Sequence, residues 1–131
     1  LVGSEMCIRD RFLVDIKCIN DRICKDLVGH SNKQELEFIK YLNSIGKEIW
    51  IRQVIVPTIT DKEDDLYALR NFINCIDNIT RVDLLPYHDL GKFKWLNLNQ
   101  KYDLENIRTA NTNDIQRVKK ILESTEKRFE L

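Results

Sequence analysis

The chain has 131 residues, of which 43% are hydrophobic and 32% charged, a composition ordinary for one globular domain or part of one. Its 21 Lys and Arg are balanced by 21 Asp and Glu, and a pI near 6.9 argues against a basic nucleic-acid footprint or a polybasic membrane patch. No apolar run approaches the ~20 residues of a membrane span and no secretory signal peptide is visible, so the expected setting is cytoplasmic, with neither nucleic acid nor membrane as partner.

Residues 1–11 (LVGSEMCIRDR) show neither helical nor strand periodicity. They read as a non-native or disordered leader, foreign sequence joined to a truncated reading frame, and are set aside from fold reasoning. Residues 12–17 alternate as a strand, with Leu13, Asp15 and Lys17 on one face and Val14 and Ile16 on the other. Asn20 or Asp21 then caps a short helix carrying Ile19, Ile23 and Leu27, and Gly29 ends it. Ser31 with Gln34, or Asn32 with Glu35, predicts a capping box for a second helix bearing Leu36, Ile39, Leu42 and Ile45, with Gly46 just past its end. Residues 49–56, rich in β-branched side chains, predict a buried strand closed by Pro57.

Thr60 and Glu63 predict another capping box, opening a helix whose Leu66, Leu69, Ile73 and Ile76 form one stripe. A third strand covers residues 82–85, residues 96–111 lack periodicity, and Asn113 with Gln116 predicts the start of a last helix that runs into a charged tail. The alternation of strand and helix predicts an α/β fold, three parallel strands joined by right-handed crossovers. Three strands are few for a complete domain, and one sheet edge is expected to lie open.

Of the four cysteines, Cys7, Cys18, Cys24 and Cys75, no two form C-x-x-C, and the five-residue gap between Cys18 and Cys24 matches no common metal-ligand spacing. Cys18, Cys24 and Cys75 read as free thiols, and no metal-binding residue is expected. The strands place charge where a buried strand should have none: Asp15, Lys17, Arg52 and Asp83. Such groups either sit exposed at strand ends or pair, meet water, or meet a polar ligand, because burying an unpaired charge costs several kcal/mol. After the third strand, Pro86-Tyr87-His88-Asp89-Leu90-Gly91-Lys92-Phe93-Lys94-Trp95 crowds aromatics, a histidine and charges into one connection. It is either a loop packed by its own aromatics or a binding loop at the carboxyl end of a parallel strand.

That loop, read from Leu85, resembles the LPYH-x-LG-x-x-KW signature of the activating enzymes of pyruvate formate-lyase, a radical S-adenosylmethionine family. Val14-Asp15-Ile16-Lys17, Leu27-Val28-Gly29-His30-Ser31-Asn32 and Trp50-Ile51-Arg52-Gln53-Val54-Ile55-Val56-Pro57 resemble the same family in the same order. The resemblance covers about residues 12–122. It implies that residues 12–131 are the carboxyl-terminal half of a partial (β/α)6, TIM-like barrel. The family's C-x-x-x-C-x-x-C, which holds a [4Fe–4S] cluster, is not in the sequence.

By this resemblance Asp15, Ile16 and Lys17 contact S-adenosylmethionine, with Lys17 meeting the methionyl carboxylate. His88 contacts the nucleoside, and Arg52 and Val54 line the same pocket. Thr58 stands where the family has glycine, which puts the turn there in question. Tyr87, Lys92, Lys94 and Trp95 are candidates for contact with a partner enzyme, or Trp95 packs the loop.

The implied activity of the whole protein is removal of a hydrogen atom from a glycine of pyruvate formate-lyase by a 5′-deoxyadenosyl radical. An electron donor such as flavodoxin or ferredoxin is implied with it. The chain itself, without the cluster ligands, is expected to be inactive. Two alternatives stand beside this: an activase of another glycyl radical enzyme, and a non-catalytic α/β module that binds a partner through the loop.

Overall fold

The structure, a computed structural model, describes residues 7–8, 11–88, 107–123 and 128–130, with side chains for 11–88 and 107–123. In chain order the elements are β1 (Cys7–Ile8), β2 (Arg11–Asp15), α1 (Asp21–Val28), α2 (Lys33–Ser44), β3 (Glu48–Ile55), α3 (Glu63–Asn74), β4 (Ile79–Pro86), α4 (Thr112–Leu122) and β5 (Arg128–Glu130). The strands form one five-stranded sheet in the order β1-β2-β3-β4-β5. The three expected parallel strands are β2, β3 and β4, alternating with helices. Two short strands extend them. β5 adds parallel to β4, and β1 adds antiparallel to β2, pairing Cys7 with Phe12 and Ile8 with Arg11.

One face of the sheet carries the core. Val14 and Ile16, then Ile49, Ile51 and Ile55, then Val82 and Leu84 are all buried against Ile39 and Leu42 of α2, Leu66, Leu69 and Ile73 of α3, and Ile115, Val118 and Leu122 of α4. A second cluster joins Cys18, Ile23, Cys24 and Leu27 around α1 to Val56, Ile59 and Tyr87 at the strand ends. The 49–56 strand differs from expectation, because its burial alternates and only every second residue is covered. Glu48, Trp50, Arg52 and Val54 lie on the other face and stay part-exposed, with Val54 packed against the second cluster.

The caps show which local signals prevailed. Asn20 accepts from the amides of Arg22 and Ile23, and Gly29 closes α1 with φ of 94°. Gly46 likewise follows α2 in the left-handed region, with φ of 75°. The two capping boxes expected for α2 and α3 do not form. Asn32 stands at the N-cap of α2, but its amide donates to the Cys18 and Ile19 carbonyls and caps nothing. Thr60 Oγ1 accepts from the Val56 amide and donates to the Val54 carbonyl, so α3 starts after Lys62 with no side-chain cap. For α4 the box is built by Asn111 and Asp114, two residues before the expected pair.

Thr58 adopts φ of 68°, so the turn after β3 keeps its left-handed geometry although the residue is not glycine. Its amide donates to Asp61 Oδ1 at 2.7 Å. Among the described residues no helix is long and apolar enough to cross a membrane.

Candidate functional site

The strand register lines up charge on the open face. Asp15 of β2 lies opposite Arg52 of β3, which lies opposite Asp83 of β4. Arg52 Nε donates to Asp15 Oδ1 at 2.6 Å, Lys17 Nζ to Asp15 Oδ2 at 3.3 Å, and Arg81 Nε to Asp83 Oδ1 at 2.7 Å. Each charge that looked misplaced in a strand is therefore paired. One row nearer the amino ends, the guanidinium groups of Arg11 and Arg81 lie over the Trp50 ring, at 4.2 and 4.5 Å from its centroid. Burial pushes the Asp15 carboxyl up, but the Arg52 hydrogen bond and the charges of Lys17 and Arg52 outweigh it and hold the pKa below the ordinary value. Asp15 thus stays ionised between two cations, and the triad carries one net positive charge.

Asp15, Ile16, Lys17, Arg52, Val54 and Leu85 line a single cavity of about 180 Å³ at the carboxyl ends of β2, β3 and β4. The structure so brings together five of the six residues singled out from the sequence. Ile16 contributes from the segment that continues β2, where its amide donates to the Arg52 carbonyl at 3.0 Å. The sixth, His88, lies elsewhere. It is exposed beyond the end of β4 and lines a separate cavity of about 360 Å³ with Leu84, Pro86, Ala110, Asn111, Thr112 and Ile115. The strand explains the separation, because Leu85 alternates with Leu84 and Pro86 and faces the opposite side. Pairing with β3 continues past Pro86, since the Tyr87 amide donates to the Ile55 carbonyl at 3.0 Å. Lys92, Lys94 and Trp95 lie outside the described residues.

Cys18 and Cys24 are buried and Cys75 is exposed, all three free. The hydrogen bond that the Cys18 thiol donates to Cys24, together with burial, pushes Cys18 up, so it stays protonated. Two buried polar residues beside the site were given no role there by the sequence, although both fall in the family-like stretches: Gln53, the single polar side chain on the covered side of β3, and Asn32, read as a cap. The break in the row Ile49, Ile51, Gln53, Ile55 was the available clue for the first.

No protein-family model matches the chain. Among curated proteins it is 40% identical over 117 residues to the pyruvate formate-lyase-activating enzyme of Streptococcus mutans, covering 89% of this chain and 44% of that protein. It is also 40% identical over 123 residues to the pyruvate formate-lyase 1-activating enzyme of Escherichia coli, covering 94% and 50%. Among solved structures it superposes on a domain of pyruvate-formate lyase-activating enzyme from Bacteroides vulgatus with TM-score 0.73 and 16% identity, over 92% of this chain and 65% of that one. SuiB of Streptococcus suis bound to S-adenosylmethionine aligns with TM-score 0.63 and 19% identity, over 91% and 26%. The sheet with its layer of helices accordingly has the fold of part of a TIM-like barrel. The chain is similar to the pyruvate formate-lyase-activating enzymes and spans about half the length of the curated relatives it matches.

Proposed function

We propose that the chain supplies part of the S-adenosylmethionine pocket of a glycyl-radical-enzyme activase whose partner is pyruvate formate-lyase. The observation that supports this reading is the Asp15–Lys17–Arg52 triad at the carboxyl ends of adjacent parallel strands. The methionyl end of the ligand is a zwitterion, which needs a cation for its carboxylate and an anion for its amino group. Lys17, with a third of its side chain exposed, meets the carboxylate as a point charge. Asp15 meets the amino group, and Arg52 holds Asp15 in place while adding positive charge.

The cavity of about 180 Å³ is smaller than the roughly 300–1,000 Å³ of a complete small-molecule site, which suits the amino-acid end of such a ligand. The cavity at His88, walled by Leu84, Pro86, Ala110 and Ile115, lies on the other side of β4, so a nucleoside end held there would have to pass over the carboxyl end of that strand.

S-adenosylmethionine, when bound, supplies the hydrogen-abstracting chemistry directed at a backbone glycine of the partner enzyme. The residues here orient it and limit the access of water. A [4Fe–4S] cluster does not fit these residues. Its C-x-x-x-C-x-x-C is not in the sequence, and among the described residues no three His, Cys, Asp or Glu side chains converge on a metal position. The 131-residue chain, reconstituted anaerobically with iron and sulfide, should therefore not cleave S-adenosylmethionine. Joined to the part of the Streptococcus mutans relative outside the match, it should generate the glycyl radical on pyruvate formate-lyase with a flavodoxin- or ferredoxin-type electron donor, read by electron paramagnetic resonance.

The pocket is tested by equilibrium dialysis of the chain against S-adenosylmethionine. Losing one charge-assisted hydrogen bond costs ~1.5–3 kcal/mol, so Lys17→Ala should weaken binding roughly ten- to a hundredfold. His88→Ala should cost less, ~0.5–1.5 kcal/mol. A Lys17→Ala chain that binds like the parent but has lost its cooperative melt would mark Lys17 as a structural partner of Asp15 and defeat the assignment.

A further inference from the structure

Past Ile16 the chain leaves the sheet, and the residues from Lys17 to Ile19 belong to no strand or helix. Their three successive carbonyls nevertheless all have partners, and every partner is a buried carboxamide from another element. Gln53 Nε2 of β3 donates to the Lys17 carbonyl at 3.2 Å and to the Val54 carbonyl at 2.9 Å. Asn32 Nδ2, ahead of α2, donates to the Cys18 carbonyl at 2.9 Å and to the Ile19 carbonyl at 2.8 Å. Gln53 is 2% exposed and Asn32 6%. Each NH2 group places both its protons on backbone oxygens, which fixes the orientation of each amide, since a flipped carboxamide would set oxygen against oxygen.

Gln53 occupies a position that an isoleucine would fill by pattern, between Ile51 and Ile55. Its Oε1 is buried without a hydrogen-bond partner among the described residues. A polar side chain kept in an apolar row at that cost implies that its donors are needed. What they hold is the segment that carries Lys17, tied at one end to the strand that carries Arg52 and Val54.

We propose that Gln53 and Asn32 are positioning residues of the pocket: the two buried carboxamides hold the Lys17–Ile19 backbone and thereby set the Lys17 ammonium against Asp15 and the ligand carboxylate. The proposal rests on the pocket reading above and adds residues that this reading did not contain. An ammonium at the end of a four-carbon stem is only as well placed as its backbone, and a shift of about 1 Å at a charged contact is enough to lose affinity.

A double-mutant cycle tests it, with binding of S-adenosylmethionine to the 131-residue chain measured by equilibrium dialysis. Gln53→Met keeps the volume and removes both donors, and should weaken binding roughly five- to twentyfold. If Gln53 acts through Lys17, adding Gln53→Met to Lys17→Ala should weaken binding by less than about twofold further. Losses that multiply would overturn the positioning role while leaving the pocket reading in place. Parent and Lys17→Ala chains that bind equally would overturn the pocket reading instead. The carboxamide ties have their own readout, which needs neither ligand nor variant. In nuclear magnetic resonance spectra the NH2 protons of Gln53 and Asn32 should exchange with solvent at least about tenfold more slowly than those of exposed Gln34. Equal rates would overturn the proposal whatever the binding data show, and this arm stands even where Gln53→Met fails to fold.

Discussion

Thr58 is held where a β-branched residue is seldom found. Its φ of 68° brings the Cβ close to the backbone, at a cost of roughly 1–2 kcal/mol. The turn forms anyway because neighbours determine it from both sides. Asp61 Oδ1 accepts from the Thr58 amide, Asp61 Oδ2 accepts from Arg117 at 2.7 Å, and the Ile59 and Thr60 amides both donate to the Val56 carbonyl. Thr58 itself is exposed, so its side chain contributes little packing to set against the strain. Thr58→Gly should therefore stabilise the chain, reduced by the greater freedom glycine has when unfolded, for a net gain of about 0.5–1 kcal/mol. That corresponds to a rise in melting temperature of a few degrees, measurable by circular dichroism. A fall in melting temperature would mean that the Thr58 side chain makes a stabilising contact outweighing the strain.

At the scale of elements, periodicity revealed what packs, and tertiary contacts decided what caps. The stripe Leu66, Leu69, Ile73 and Ile76 and the alternation around Val14 and Ile16 are buried as their spacing requires. The capping signals at Asn32 and Thr60 were real polar residues in the right places, yet long-range and strand-end carbonyls took their hydrogen-bonding groups. Partners such as Gln53 and Lys17, 36 residues apart, leave no local trace in a sequence. The two- and three-residue strands β1 and β5 were equally hidden, being too short for any period to show. At the cavity, alternation put Asp15 with Lys17 and Arg52 with Val54, the family resemblance brought the two pairs together, and the separation of His88 was not legible, because it depends on how the chain leaves β4.

The α4 cap gives an element-scale prediction. Asp114 accepts from the Asn111 amide and from both terminal nitrogens of Arg108, at 2.6 and 2.7 Å. These bonds, the Arg108 pair foremost, hold its pKa down to about 2 against the effect of burial. A carboxyl lowered in the folded state binds fewer protons than when unfolded, so its stabilisation is present above the ordinary carboxyl range and disappears as pH falls through about 2. Stability measured by urea melts should decline between about pH 4 and pH 2, and decline less steeply in Asp114→Asn. Asn111→Ala should cost about 1 kcal/mol at neutral pH through loss of the cap.

For the whole molecule the decisive feature is a barrel wall with one covered side. β5 pairs with β4 at Arg81, Val82 and Asp83, but on the opposite edge β1 reaches only Arg11 and Phe12 of β2. The rest of that edge, Leu13 to Asp15, has no strand beside it among the described residues. The open face beside it carries Leu13, Trp50, Val54 and Leu85 between paired charges, and Leu85 is 37% exposed. Unpaired amides on an edge strand recruit other strands, and a partly apolar face makes such pairing favourable. The paired charges do not prevent it, since each already has its counter-charge within the same sheet. The chain should therefore associate with itself at micromolar concentration, edge to edge through β2. Leu13→Lys, which places a charge on the edge strand without touching the helix-side core, should shift sedimentation toward monomer with little change in melting temperature. Joining the chain to the portion of a relative outside the match should do the same, because the barrel then covers the edge with its own next strand. A parent chain that sediments as a monomer across the micromolar range, with a cooperative melt, would show that β1 and the charged rows protect this edge well enough by themselves.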